Sequence, residues 1–232
     1  MLWRGPMGGG AASGKVGSMV ASHNSGGQYV RSRTTPTNPN SVFQQEVRNA
    51  VRSLTTRWVT LDPEARDGWE TYAANVAVVN RIGDTIHISG IAHYVRSNTP
   101  RVQANLPIID DAPQQYDLGE VQGTVIQFSP SSDGTGTLTL DPTADWITSA
   151  TGSENSMLVY LSRPQNLSVN FFKGPYRFTE EINSVTASTG TATFALPFTP
   201  AAIINQIYGY VRITRGDGRL SSDFQIANSA LN

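Results

Sequence analysis

Apolar residues recur at helical spacing in two stretches before residue 80, and after about residue 119 they give way to short alternating runs cut by turn residues. In the first stretch Val42/Phe43, Val47, Ala50/Val51, Leu54 and Trp58 fall three and four residues apart, while Gln44, Arg48 and Arg52 fall mostly on the other face. With Asn40 or Ser41 as N-cap, this spacing predicts an amphipathic helix ending near Trp58. A second helix start follows at Leu61-Asp62-Pro63-Glu64, with Asp62 as cap, Pro63 in the first helical position, and Trp69, Tyr72/Ala73 and Val76 as its apolar stripe. Together they read as an antiparallel helical hairpin whose core is Trp58, Trp69 and Tyr72, aromatic side chains that pack two helices rather than cage a ligand.

The texture changes at Asn80. Arg81-Ile82-Gly83-Asp84 is a turn, Thr85 to Ser89 alternates, and the run Ile91 to Val95 ends at Asn98-Thr99-Pro100, which reads as a strand and then a short helix. Pro100, Pro107, Pro113 and Asp110-Asp111 suit residues 99–118 to a linker. Beyond it come alternating segments at 121–128, 137–140, 157–161, 168–172, 184–185, 191–196, 207–214 and 222–226. The last two are joined across Arg215-Gly216-Asp217-Gly218, and Tyr208, Tyr210 and Arg212 share one face. Short strands at this density predict a β-sandwich. The fold class expected is α+β, with an extended Gly-rich arm over residues 1–40, the helical hairpin module over 41–98, the linker over 99–118 and a mainly antiparallel β-sandwich over 119–232.

Composition refines this picture. The 232 residues are 38% hydrophobic, enough for a core, yet only 15% are charged, so much of the surface is polar and neutral. Cysteine is absent, which removes disulfides and thiolate chemistry. No apolar run approaches a membrane span, and Met1 to Pro6 lacks the apolar core of a signal peptide, so no membrane partner is expected. The net charge of −1 conceals a division: residues 1–60 carry seven basic side chains against Glu46 alone. Arg31 and Arg33, with Tyr29 beside them, mark the arm as an assembly element whose counterpart is an acidic protein surface, including another copy of this chain. Nucleic acid ranks behind protein as its partner, because the cations are spaced by Ser, Thr and Pro rather than gathered in a dense run.

Candidate chemistry is sparse. Gly9-Gly10-Ala11-Ala12-Ser13-Gly14-Lys15 fits a phosphate-binding loop up to its lysine, but Val16 stands where a magnesium-binding hydroxyl belongs and no strand precedes it. His23, His87 and His93 do not have zinc-ligand spacing, and no nucleophile elbow or metalloprotease helix is present. Arg215-Gly216-Asp217 is an integrin-type tripeptide in which Gly-Asp-Gly is ordinary turn chemistry. No catalytic residue, cofactor or metal is assigned, and the chain is read as a non-enzyme.

Two resemblances bear on function. The Gly-rich arm, Gln28-Tyr29-Val30-Arg31, Pro36-x-Asn38-Pro39-Asn40, Gln44/Gln45, Arg48, Trp58, Leu61, Trp69, Tyr72-Ala73 and Asn80-Arg81-Ile82-Gly83 resemble proteins of bacteriophage structural gene clusters over about residues 15–98. The closing hairpin around Asp217-Gly218 is similar to that of a fibronectin type III or immunoglobulin-like domain. The first resemblance implies a virion component, assembled in the host cytoplasm, whose partners are other virion proteins and itself as a homo-oligomer. A capsid decoration, cementing or minor capsid protein is the leading expectation. The alternatives are a tail or connector component, and an adhesin in which Trp146, Tyr176, Phe171 or Phe172 stacks on a glycan.

Overall fold

The computed structural model describes residues 2–3, 12–24, 27–35, 37–80, 83–119, 121, 124–131, 133–148, 155–166, 168–169, 171–172, 174–198 and 205–227. It is a mixed α/β structure with five helices and several antiparallel sheets among those residues, an arrangement compatible with a β-sandwich. The chain divides into two compact units, Met1–Val42 and Phe43–Asn232.

The first unit departs from the extended arm expected. Strands β1 (Leu2–Trp3), β2 (Ala12–Val16), β3 (Met19–Asn24) and β4 (Gly27–Ser32) form an antiparallel sheet in chain order. Gly17, at φ +54°, turns β2 into β3, a left-handed conformation that other residues adopt at a cost. Low complexity concealed these strands, because Gly, Ser and Ala carry almost no alternating apolar signal.

The second unit opens with α1 (Val42–Thr60) and α2 (Pro63–Asn75), and the Asp62 carboxylate accepts the Glu64 N–H at 3.0 Å as the expected cap of α2. The short strands β5 (Val78–Val79) and β6 (Thr85–Ile86) lead to α3 (Gly90–Gln103). The close helix pair is α2 with α3, rather than the hairpin of α1 with α2. Gly90 permits this approach: a Cβ there would lie 2.8 Å from the Glu70 backbone nitrogen, and the Gly90 N–H instead donates to the Glu70 carboxylate at 3.0 Å.

Helix α3 also runs straight through Pro100, where a break was expected. Tertiary bonds override the proline. The buried Asn98 amide donates to the Tyr94 and Ile109 carbonyls and accepts the Ile109 N–H at 2.8 Å, pinning the following segment along the helix. Residues 99–118 therefore form the end of α3 and part of the helical core rather than a free tether. Ile108, Ala112 and Leu118 pack against Leu54, Trp69, Tyr72 and Tyr94, and Trp69 Nε1 donates to the Asp110 carbonyl at 2.7 Å.

The β-rich part contains a sheet ordered β11–β9–β14–β15, from Tyr176–Asn183, Ser156–Ser162, Tyr208–Thr214 and Phe224–Ala227. A second is ordered β12–β8–β7, from Thr191–Ala195, Thr135–Leu140 and Val125–Pro130. Short helices α4 (Asp145–Thr148) and α5 (Ser184–Ala187) and the pair β10 (Gln165–Asn166) with β13 (Asn205–Gln206) complete the described elements. Met157, Val159, Leu161, Val211 and Ile213 of the first sheet share a core with Phe128, Leu138, Leu140 and Phe194 of the second and with Trp146. β9 is buried along its whole length, so its other face, bearing Leu158 and Tyr160, is covered as well. Arginines tie α3 to that sheet: Arg96 donates to the Leu220 and Ser221 carbonyls, and Arg101 to Thr214 Oγ1 and the Arg215 carbonyl.

Candidate assembly surfaces

Tyr29 and Arg31 lie on β4, and Arg33 follows it; all three side chains are exposed. Register places Lys15, Val20 and Arg31 in one cross-strand row and Ser22 opposite Tyr29, so one face of the sheet is cationic. The other face carries Met19, Ala21 and Val30. Among the described residues of this unit only Ala21 is buried, while Met19 is 53% and Val30 63% exposed. A small sheet gains stability when its apolar face is covered, and here Met19 and Val30 leave part of that face open.

The apolar stripe of α1 is divided. Leu54 is fully buried, and Trp58 packs on Tyr94 with ring centroids 5.5 Å apart. Arg57 grips Asp110 through Nε–Oδ1 at 2.7 Å and a second bond through Nη2, holding the Asp110 carboxyl below its ordinary pKa and its own guanidinium above. Upstream, Phe43, Val47 and Val51, spaced four residues apart, are 51%, 38% and 38% exposed. These residues were expected to face inward. Their half of the helix extends beyond the core built by Leu54, Trp69, Tyr72 and Tyr94, and so carries apolar surface that the described residues of the second unit leave partly exposed.

Between that half of α1 and the outer face of the first sheet is a cleft of about 830 Å³. Phe178, Tyr160 and Tyr210 stand directly opposite one another on β11, β9 and β14. Their ring centroids are 5.6 Å apart for Phe178–Tyr160 and 4.7 Å for the stacked pair Tyr160–Tyr210, and Tyr176 meets Tyr210 edge-on at 5.2 Å. Burial raises the phenol pKa of all three tyrosines, keeping them neutral donors. Among the described residues no acceptor takes the hydroxyl proton of Tyr160, Tyr176 or Tyr210, whereas the hydroxyls of Tyr72, Tyr94 and Tyr208 each donate to a protein oxygen. The Arg177 guanidinium lies 4.5 Å over the Phe43 ring and 4.7 Å over that of Phe198. Among the described residues Glu46 is the one carboxylate lining the cleft.

The remaining sequence candidates have structural surroundings. Trp69 and Tyr72 are fully buried and Trp58 half-buried in the helical core. Trp146, considered for sugar stacking, is 1% exposed in the core between the two larger sheets of the β-rich part, while Phe171 and Phe172 are exposed and Tyr176 lines the cleft. His87 and His93 face the backbone carbonyls of Ala73 and Val76, and no group of three or more His, Asp or Glu among the described residues could hold a metal ion. Arg215 of the integrin-type tripeptide is buried and paired with Asp145 at 2.7 Å, which withdraws it from any receptor. Gly9 to Ala11 of the loop-like run lie outside the described residues. Ala12 to Lys15 belong to β2, so the helix such a loop requires does not follow the lysine.

The tyrosine row was missed from sequence because Met157 to Leu161 reads simply as a buried strand. The signal was the shared parity of Leu158, Tyr160, Tyr208, Tyr210 and Arg212, which marks a second covered face. Compared with known protein families, curated proteins and solved structures, the chain matches none.

Proposed function

We propose that this chain is a non-enzymatic structural component of a phage virion, a capsid decoration, cementing or minor capsid protein that assembles through its N-terminal unit. The observation that carries the reading is the four-stranded sheet of residues 2–32, whose apolar face is partly open. Such a sheet gains stability when a neighbour covers it, and so couples folding to assembly. The partly exposed half of α1 and the concentration of positive charge before residue 61 support the same reading. So does the resemblance over residues 15–98, with an immunoglobulin-like sandwich as the body that the assembled subunit presents.

Light scattering on the full chain tests this against a variant carrying Tyr29→Ser, Val30→Ser and Arg31→Glu. The expected result is a defined oligomer that the variant loses. A monomer in both cases, with residues 1–40 digested at equal speed, removes self-assembly through this unit. The adhesin reading rests on exposed Phe171 and Phe172, and a specific hit on a glycan array, lost in Phe171→Ala, would favour it.

A further inference from the structure

The cleft between α1 and the tyrosine row holds three hydroxyl donors with no acceptor among the described residues, one carboxylate and a partly exposed apolar wall. The three hydroxyls open on the cleft rather than being buried unpartnered; an occupant rich in free acceptors would take their protons in place of water, and an aromatic floor suits one with flat apolar surface. A polyproline II segment has both, because its backbone makes no internal hydrogen bonds and its carbonyls point outward. The sequence of this chain offers a candidate for such a segment. Arg33-Thr34-Thr35-Pro36-Thr37-Asn38-Pro39 places prolines three residues apart and a cation three residues before the first. Its described residues lie outside helix and strand and are exposed.

We propose that the cleft is a docking groove for residues 33–39 of a second copy of this chain, giving a head-to-tail contact. The dimensions agree. One turn of polyproline II, the distance from Pro36 to Pro39, is about 9 Å. The ring row spans at most about 10 Å by its centroid spacings of 5.6 and 4.7 Å. Proline rings would lie between Phe43 of α1 and the edges of Tyr160 and Tyr210, with the phenol hydroxyls donating to peptide carbonyls. The charge pairing is specific: Glu46 lines the cleft and would receive Arg33, while the Arg177 guanidinium, also in the lining, is stacked on Phe43 and Phe198. A heterologous contact of this kind repeats from copy to copy and closes into a ring when the rotation permits. The inference rests on the assembly reading above and specifies the surfaces that meet.

The test is sedimentation of the full chain over a range of concentrations, with Arg33→Glu, Glu46→Arg, the two combined, and Pro36→Ala with Pro39→Ala, each checked for folding by circular dichroism. Calorimetric titration of a synthetic peptide of residues 31–40 into the Pro36→Ala, Pro39→Ala chain accompanies it. Each charge reversal should weaken association about tenfold and the combined reversal should restore it. The chain with both prolines replaced should not associate and should bind the peptide saturably. Association that ignores both prolines and both charges overturns the groove while leaving the assembly reading standing. A chain that remains monomeric and does not bind the peptide removes both. Peptide binding by a chain that is monomeric at every concentration puts the segment in its own cleft and overturns the head-to-tail contact. Saturable oligosaccharide binding lost in Tyr176→Ser, with no response to the peptide, makes the cleft a sugar site instead.

Discussion

Replacing Arg101 by Met should weaken the second unit by about 3 kcal/mol, because two well-placed bonds from a charged donor are lost at about 1.5 kcal/mol each. Arg101 is 4% exposed, and its fork donates to the Pro107 carbonyl at 2.7 Å, Thr214 Oγ1 at 2.9 Å and the Arg215 carbonyl at 3.3 Å. The long third bond adds little. No carboxylate among the described residues makes an ion pair with this guanidinium, and burial holds its pKa below the ordinary arginine value. Two effects therefore compete on substitution. Methionine removes the cost of burying a charge, which can make an apolar replacement neutral or better. It also strands acceptors where water has little access, and stranded buried carbonyls favour the loss. Urea unfolding followed by tryptophan fluorescence measures the difference, and Arg101→Lys should recover less than half of it, since an ammonium cannot span Pro107 and Thr214 as the planar fork does. A double-mutant cycle with Thr214→Val should show coupling of about 1 kcal/mol. Arg101→Met at or above wild-type stability would refute the reasoning, by showing that the desolvation cost exceeds the bonds.

Burial lowers the His93 pKa below its ordinary value, so the folded protein holds it neutral. That contribution is fully present above about pH 6.5 and is lost as pH falls from there through the folded pKa, so urea midpoints should drop between pH 7.5 and 5, and His93→Gln should flatten that slope. Gly90→Ala should cost about 1–3 kcal/mol, read from the same urea curves, since its Cβ would press on the Glu70 backbone. Phe43→Ser should leave the urea midpoint within about 0.5 kcal/mol, its ring being 51% exposed, but reduce the assembled fraction in sedimentation. Hydrogen exchange should find the amides of residues 19–32 fast in dilute solution and slowed on assembly; equal rates in both states would separate this sheet from the contact.

What could be read from sequence was whatever depended on local signals. The start of α2 was visible because a cap and a first-turn proline act on their own neighbours, the strand around Met157 because a short continuous apolar run marks a buried strand, and that around Tyr208 because it alternates. Helix α3 was cut short on paper because Pro100 is a strong local breaker, whereas the bonds that carry the helix past it come from Ile109, Pro107 and Thr214. The same non-locality turned the supposed linker into core, since Asp110 reads as a polar residue until Trp69, Arg57 and Tyr94 converge on it. The cleft needed three strands in register, and cross-strand register is not written in any single strand.

Helix α1 bears on why such a chain would be built for association. Its last two turns are fixed by Leu54, Trp58 and Arg57, so the helix is a rigid bracket. Its first turns then hold Phe43 and Val47 beside the cleft at little entropic cost, because the backbone is already ordered when a partner arrives. A monomer would gain by making these positions polar, as Gln44, Gln45 and Arg48 on the same helix already are. Retaining an apolar stripe on an anchored helix, in a chain with only 15% charged residues, makes energetic sense where a neighbour covers the stripe and the sparse charges are left to select which neighbour that is.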